Sequence, residues 1–289
     1  MANHLAQRVA GFGTSVFTEM SRLAVQHQAV NLGQGFPDFP GPDFVKEAAI
    51  QAIRADFNQY AVSHGTLRLR CAIAETWERV YGRGVDPETE VSIGSGATEL
   101  LLDAILALVN PGDEVILFEP FYDSYVPDIL MAGGSPRTIT LQPPDWHFDR
   151  QALADLFTPR TRLVLINTPH NPTGKMFNRE ELAFVASLCR ERDVLVVTDE
   201  VYEQIRFDGV EHVPIATLPG MWERTLTVNS TPPSTQIRPA PPSWPASASP
   251  RGRRRSGPPP RDCKGFGLPG RPDQPERHAF MSSRTTLVI

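Results

Sequence analysis

"RLVLINTPHNPTGKMFNREELAFVASLCRERDVLVVTDEVY", residues 162–202, is the stretch on which the fold turns. An apolar run breaks at two X-Pro bonds and a glycine, continues as a clear amphipathic helix, and ends in a second apolar run. Strand, loop, helix and strand in that order form the repeating unit of a parallel sheet, whose neighbouring strands need a crossover.

The alternation extends in both directions. Upstream lie a short strand "VSIGSG", a helix "ATELLLDAILALVN" closed by Pro111-Gly112, and a strand "EVILFEP". A helix "YDSYVPDILMAGG" follows, in which Pro127 is tolerable only near the first turn. The strand "SPRTITL" and the short helix "DRQALADLF" lead into the quoted stretch, and "TLTVNS" is a sixth strand beyond it. Earlier still, the glycines and prolines of "VNLGQGFPDFPGPDFVKEAAIQAIRA" form a loop, with Asp43 expected to cap a helix from Phe44. Continuous apolar strands separated by helices imply an α/β fold, a mostly parallel sheet covered on both faces. Ligands of such sheets bind at the carboxyl ends of the strands, so polar residues there carry the most information.

Composition sets the outer limits. The chain has 289 residues, a net charge of −5 and 40% hydrophobic residues, as expected of a soluble globular protein. From residue 231 onward, however, nine Arg and one Lys stand against three acidic residues, leaving the first 230 residues at −12. Thirteen of the 28 prolines fall in that last fifth. No signal peptide or bilayer-spanning run is evident. Cys71, Cys189 and Cys263 show no metal or redox spacing, so reduced thiols in a cytoplasmic protein are expected.

Three clusters fall at strand ends. "GSGATE" (94–99) is a glycine-rich turn into a helix, suited to a phosphate, although such turns are commonly structural. "NTPHNPTG" (167–174) presents Asn171 over the sheet edge, yet is also ordinary turn chemistry. In "VVTDEVY" (196–202), Asp199 ends an apolar strand, where a buried carboxylate needs a cationic partner; a helix-capping Asp beside a surface Tyr202 is the plainer alternative.

Taken together with the aromatic "FYD", these clusters in this order resemble the fold-type I pyridoxal-phosphate enzymes of the class I/II aminotransferase family. "VNLGQGFPDFPGPDF", "NQY", "GDEVILFEPFYDSY", "TPHNPTGKMFNREEL", "DEVYEQIRFDG" and "IATLPGMWERTLTV" are similar to its kynurenine aminotransferase, glutamine transaminase K and cysteine-conjugate β-lyase branch. The resemblance runs from about residue 5 to residue 229. It implies transfer of an amino group from an amino acid (kynurenine, glutamine, methionine or an aromatic one) to a 2-oxo acid, with pyridoxal phosphate (PLP) as electron sink.

The resemblance also implies roles for residues. Asp199 would face the ring nitrogen, Asn171 and Tyr202 the ring hydroxyl, and Tyr122 would stack on the ring. Ala97 and Thr98 would hold the phosphate. Tyr60 would reach the phosphate of a neighbouring subunit's cofactor, which implies a homodimer. Gly35 would belong to a loop over the substrate carboxylate, with plain turn geometry an equal reading. His170 is expected to be a solvated loop histidine.

The family also carries, after the strand corresponding to "TLTV", a lysine that binds the cofactor covalently and moves the Cα proton. Here "TPPSTQIRP" follows, and the only lysines of the chain are Lys46, Lys175 and Lys264. The arginine for the substrate carboxylate belongs to a C-terminal small domain that the remaining 59 residues cannot build. The expected division is therefore residues 1–40 as the N-terminal segment of the small domain, 41–230 as an incomplete PLP-binding large domain, and 231–289 as an unstructured tail read out of frame. Such a chain is expected to be inactive, and its sheet to lack one strand. The alternatives are a non-catalytic PLP-binding protein, or a transaminase-like core with a basic interaction arm around "RGRRR" (251–255). Neither a membrane nor a nucleic-acid partner is expected.

Overall fold

The computed structural model describes residues 6–35 and 39–230, together with the backbone of residues 287–288. In chain order the elements are α1 (Val16–Gln26), α2 (Asp43–Arg54), α3 (Leu67–Tyr81), β1 (Val91–Ser92), α4 (Ala97–Leu108), β2 (Glu114–Glu119), α5 (Tyr125–Met131) and β3 (Ser135–Thr140). They continue with α6 (Arg150–Leu156), β4 (Thr161–Asn167), α7 (Arg179–Glu191), β5 (Leu195–Asp199), β6 (Thr225–Val228) and β7 (Leu287–Val288).

The unit β4–α7–β5 shows why the sequence folds in this way. Successive side chains of a strand point to opposite faces. Val164 and Ile166 accordingly pack with Leu182, Val185 and Cys189 of α7 on one side. Leu163 and Leu165 pack with Leu101 and Ile105 of α4 on the other. Asn178 starts α7 with a capping box: its side chain accepts from the Glu181 amide, and the Glu181 carboxylate accepts from the Asn178 amide, both at 2.9 Å.

All seven strands form one sheet in the order β1-β7-β6-β5-β4-β2-β3, with every pairing parallel. Helices cover both faces, so the chain has the fold-type I architecture expected of it. A smaller apolar cluster joins Ile73 and Trp77 of α3 to Val91 and Trp222 beside the β1 edge.

One local expectation is corrected. Pro42, with φ −57°, occupies the N-cap of α2, and Asp43 lies within the first turn, its carboxylate 2.6 Å from Lys46 Nζ. Proline is preorganised for a helix entry, and an acid in the first turn still faces the positive helix end. Most of the tail after residue 230, including "RGRRR" and Lys264, lies outside the described residues; the backbone of Leu287 and Val288 forms β7, paired with β1 and β6. The edge of β6 is buried at Thr227 and Val228, and buried backbone groups require a pairing partner.

Candidate functional site

The strand order places a crevice at one point of the sheet. From β2 the chain steps outward to β3, whereas from β4 it steps the other way to β5 and β6. Between β2 and β4 the carboxyl-end loops therefore diverge, which opens space for a ligand.

Side chains from several connections converge there. Tyr122 comes from the loop after β2, Asn171 from the loop after β4, Asp199 from the end of β5 and Tyr202 from the turn that follows it. With Ala97 and Thr98 at the start of α4, they line a pocket of about 120 Å³, joined by Leu101, Tyr125 and Val201. A larger open cleft of about 810 Å³ shares Thr98 and Tyr122 and is walled by Thr14, Phe17 and Gln34 of the N-terminal segment. The Tyr122 ring lies 5.8 Å from that of Tyr125, edge-on, and 5.9 Å from that of Phe17.

Asp199 forms the floor of the pocket and is 5% exposed. Its expected cationic partner is not there among the described residues. Instead Oδ2 accepts a hydrogen bond from the Tyr125 hydroxyl at 2.6 Å, and Oδ1 accepts one from the Val201 amide at 3.2 Å. Burial pushes its pKa up to about 6; the two donors pull it down and the Glu200 carboxylate pushes it further up. A buried carboxylate with neutral donors only is one charge short of balance.

Asn167, at the last position of β4, ties the walls together. Its Nδ2 donates to the Asp199 main-chain oxygen at 3.0 Å, and its Oδ1 accepts from the Asn171 amide at 2.6 Å. The Asn171 side chain is hydrogen-bonded to the Tyr202 hydroxyl, whose pKa burial raises. Behind the pocket, Glu200 Oε2 lies 2.7 Å from His212 Nε2, and the Tyr81 hydroxyl of α3 donates to Glu203. Both groups hold the 199–203 turn from the side away from the pocket.

At the α4 start, Gly96 has φ +106°, and a Cβ built there would meet nothing within 4 Å. That backbone delivers the first-turn amides, which have no intrahelical partner, to the pocket wall. The Glu99 carboxylate accepts from the Ser95 amide next to it.

Tyr60 and Gly35 do not join this group. Tyr60 is fully exposed and away from its own chain's pocket, and Gly35 has open space around it. His170 is buried, contrary to its expected solvation, because the loop folds back on itself. Its amide donates to Lys175 O at 2.9 Å, Gly174 N donates to His170 O at 2.8 Å, and the ring sits beside Phe177 with Nδ1 2.8 Å from Thr173 Oγ1. Burial draws its pKa down to about 4. Neither described lysine lines the pocket: Lys46 pairs with Asp43, and Lys175 with Glu181 at 2.7 Å.

The sequence of aminotransferase class I and II proteins matches residues 27–231 as a family. The chain belongs to the class I and II aminotransferases. Among its relatives in that family, human kynurenine–oxoglutarate transaminase 1 is 46% identical over 244 residues, covering 80% of this chain and 58% of the relative. A solved N-succinyldiaminopimelate aminotransferase from Mycobacterium tuberculosis superposes with a TM-score of 0.75 at 48% identity, covering 78% of this chain and 59% of that one. A methionine aminotransferase structure from Escherichia coli gives the same TM-score, 0.75, at 43% identity and with the same coverage of both chains, 78% and 59%. The chain thus spans somewhat over half the length of the relatives it matches.

Membership implies pyridoxal phosphate as the cofactor. The residues present fit it without a covalent bond. An uncompensated buried carboxylate suits a protonated pyridine nitrogen, the Asn171–Tyr202 pair suits the ring hydroxyl, and the α4 amides suit a phosphate.

Tyr125, Asn167 and Val201 were not identified from sequence. For Tyr125 a signal existed: it stands three residues after Tyr122 in "FYDSY", a spacing that puts two side chains on one face of a helical turn.

Proposed function

We propose that residues 41–230 are the cofactor-binding part of a PLP-dependent aminotransferase, and that this chain holds PLP in the Asp199 pocket reversibly, without a lysine attachment. The observation that carries this reading is the buried Asp199 carboxylate, which lacks a cation among the described residues. Bound PLP supplies an electron sink for moving an amino group between an amino acid and a 2-oxo acid.

The chain's own residues bind and orient it. Asp199 pairs with the ring nitrogen and keeps it protonated. Asn171 and Tyr202 hold the ring hydroxyl, Tyr122 covers a ring face, and Ala97 and Thr98 receive the phosphate. In the same reading Tyr60 serves the phosphate site of a second copy, and Gly35 belongs to the substrate loop. Residues 1–40 belong with a small domain, and 231–289 are an out-of-frame reading, which sequencing of the downstream DNA tests. Relatives named for kynurenine, methionine and N-succinyldiaminopimelate support an amino acid as donor. Neither described lysine lies at the pocket, so among the described residues no amine is positioned to carry the Cα proton, and binding is proposed without turnover.

Titration of the full chain with PLP, followed by cofactor absorbance, tests this. Saturable binding is expected, weakened about tenfold or more by Asp199→Asn, as for loss of a charged hydrogen-bond partner. Borohydride treatment is expected to leave no labelled lysine, and kynurenine, glutamine and methionine no product. Specific labelling of Lys175 or Lys264 together with turnover would refute the inactive reading. Absence of saturable binding would refute the pocket itself.

A further inference from the structure

The Asp199 carboxylate is not shaped by the strand that carries it. Its Oδ2 is held by the Tyr125 hydroxyl at 2.6 Å, and Tyr125 belongs to α5, across the crevice on the β2 side. Tyr125 is 2% exposed and packed among Leu101, Val197 and Val228, so its hydroxyl has one fixed direction. Both residues line the same pocket. The bond thus crosses the divide between the strands that step outward and those that step back.

On the PLP-binding reading above, we propose that Tyr125 is a positioning residue for the cofactor's ring nitrogen, holding Asp199 ionised and its carboxylate turned toward the pocket. A carboxylate oxygen has two lone-pair sites, so Oδ2 can accept from Tyr125 and still meet a second donor. Without the phenol, the Asp199 carboxylate keeps, among the described residues, the Val201 amide at 3.2 Å. Its neighbours from the other packed elements are Tyr122, Tyr202 and Glu200, none of which is a cation. The protonated carboxyl would then be favoured further, and a neutral acid pairs poorly with a protonated ring.

Tyr125→Phe removes a single oxygen and keeps the ring. Two readouts are used with the full chain. In the absence of cofactor, the Asp199 carboxyl is followed by carbon-13 NMR against pH, assigned with Asp199→Asn; its midpoint is expected to rise in Tyr125→Phe. Incorporation of 3-fluorotyrosine at 125, a stronger donor, is expected to lower it, and supplies the test if the Phe variant does not fold. An unmoved midpoint in these variants overturns the proposal.

The second readout compares PLP with its 1-deaza analogue, which lacks the ring nitrogen. Affinity for PLP at pH 7.5 is expected to fall about tenfold in Tyr125→Phe, as for a hydrogen bond to a charged group, with little change for the analogue. Equal losses for both ligands would mean that Tyr125 only shapes the pocket, and would overturn the proposal. If the unmodified chain binds no PLP, the proposed function fails and the cofactor role of Tyr125 fails with it. The NMR midpoint then still decides whether Tyr125 controls Asp199.

Discussion

Asp199 concentrates the chemistry of this chain in one side chain. Buried with neutral donors, it holds its proton to about pH 6, whereas in the unfolded chain it loses it near the ordinary value of 3.8. Folding therefore takes up a proton. The favourable contribution is complete below the unfolded value and is lost as the pH rises through about 6. A shift of that size corresponds to roughly 3 kcal/mol. In the absence of cofactor, Asp199→Asn is expected to flatten the stability curve between these two values and to raise the urea midpoint above pH 6. Urea unfolding at several pH values checks this; a uniform displacement at every pH would count against it. The same substitution weakens PLP binding, so stability and cofactor affinity move in opposite directions at this residue, as expected of a functional site.

At the scale of the element, the turn after β5 is the piece that must not move. It carries Asp199 and Tyr202 into the pocket and is held from behind by Glu200 with His212, and by Glu203 with Tyr81. Burial by itself would lower the His212 pKa, but the Glu200 carboxylate outweighs it and the net shift is upward. The pair's contribution is thus complete below the ordinary histidine value and is lost as the pH rises through the raised one. His212→Ala would leave Glu200 buried without its partner, a loss of about 3–5 kcal/mol. Urea unfolding near pH 6 and near pH 9 is expected to show the larger difference from the unmodified chain at the lower pH.

Across the whole molecule, the most conspicuous feature is the exposed apolar side chains among the described residues of the first 62. Neither α1 nor α2 has a buried residue, yet both are amphipathic. Ile53 is 74% exposed, Phe57 58% and Tyr60 fully exposed. Exposed apolar surface of this kind is expected of an interface, and a second copy covering it would also cover the fully exposed Tyr60. The chain is expected to run as a dimer in size-exclusion chromatography with light scattering. Ile53→Glu combined with Phe57→Glu is expected to give folded monomers, since neither residue belongs to a core cluster. A dimer that persists in the double variant would place the interface elsewhere. No described helix is long and apolar enough to cross a membrane.

The strands from β1 to β6 and the helices between them were legible in the sequence, because period and turn chemistry are local: an apolar run, a glycine or a capping asparagine acts on its immediate neighbours. Thr98, Asn171, Asp199 and Tyr202 could be singled out for the same reason, since each sits at or just past a strand end, whereas Ala97 and Tyr122 entered through the family resemblance. Tertiary structure decided what those residues meet. Tyr125 became the partner of Asp199 only because β2 and β5 lie on either side of β4. His170 became buried only because its loop folds back on Phe177. Contacts between residues far apart in sequence leave no period along the chain, so burial, pKa and the assembled pocket are properties of the fold.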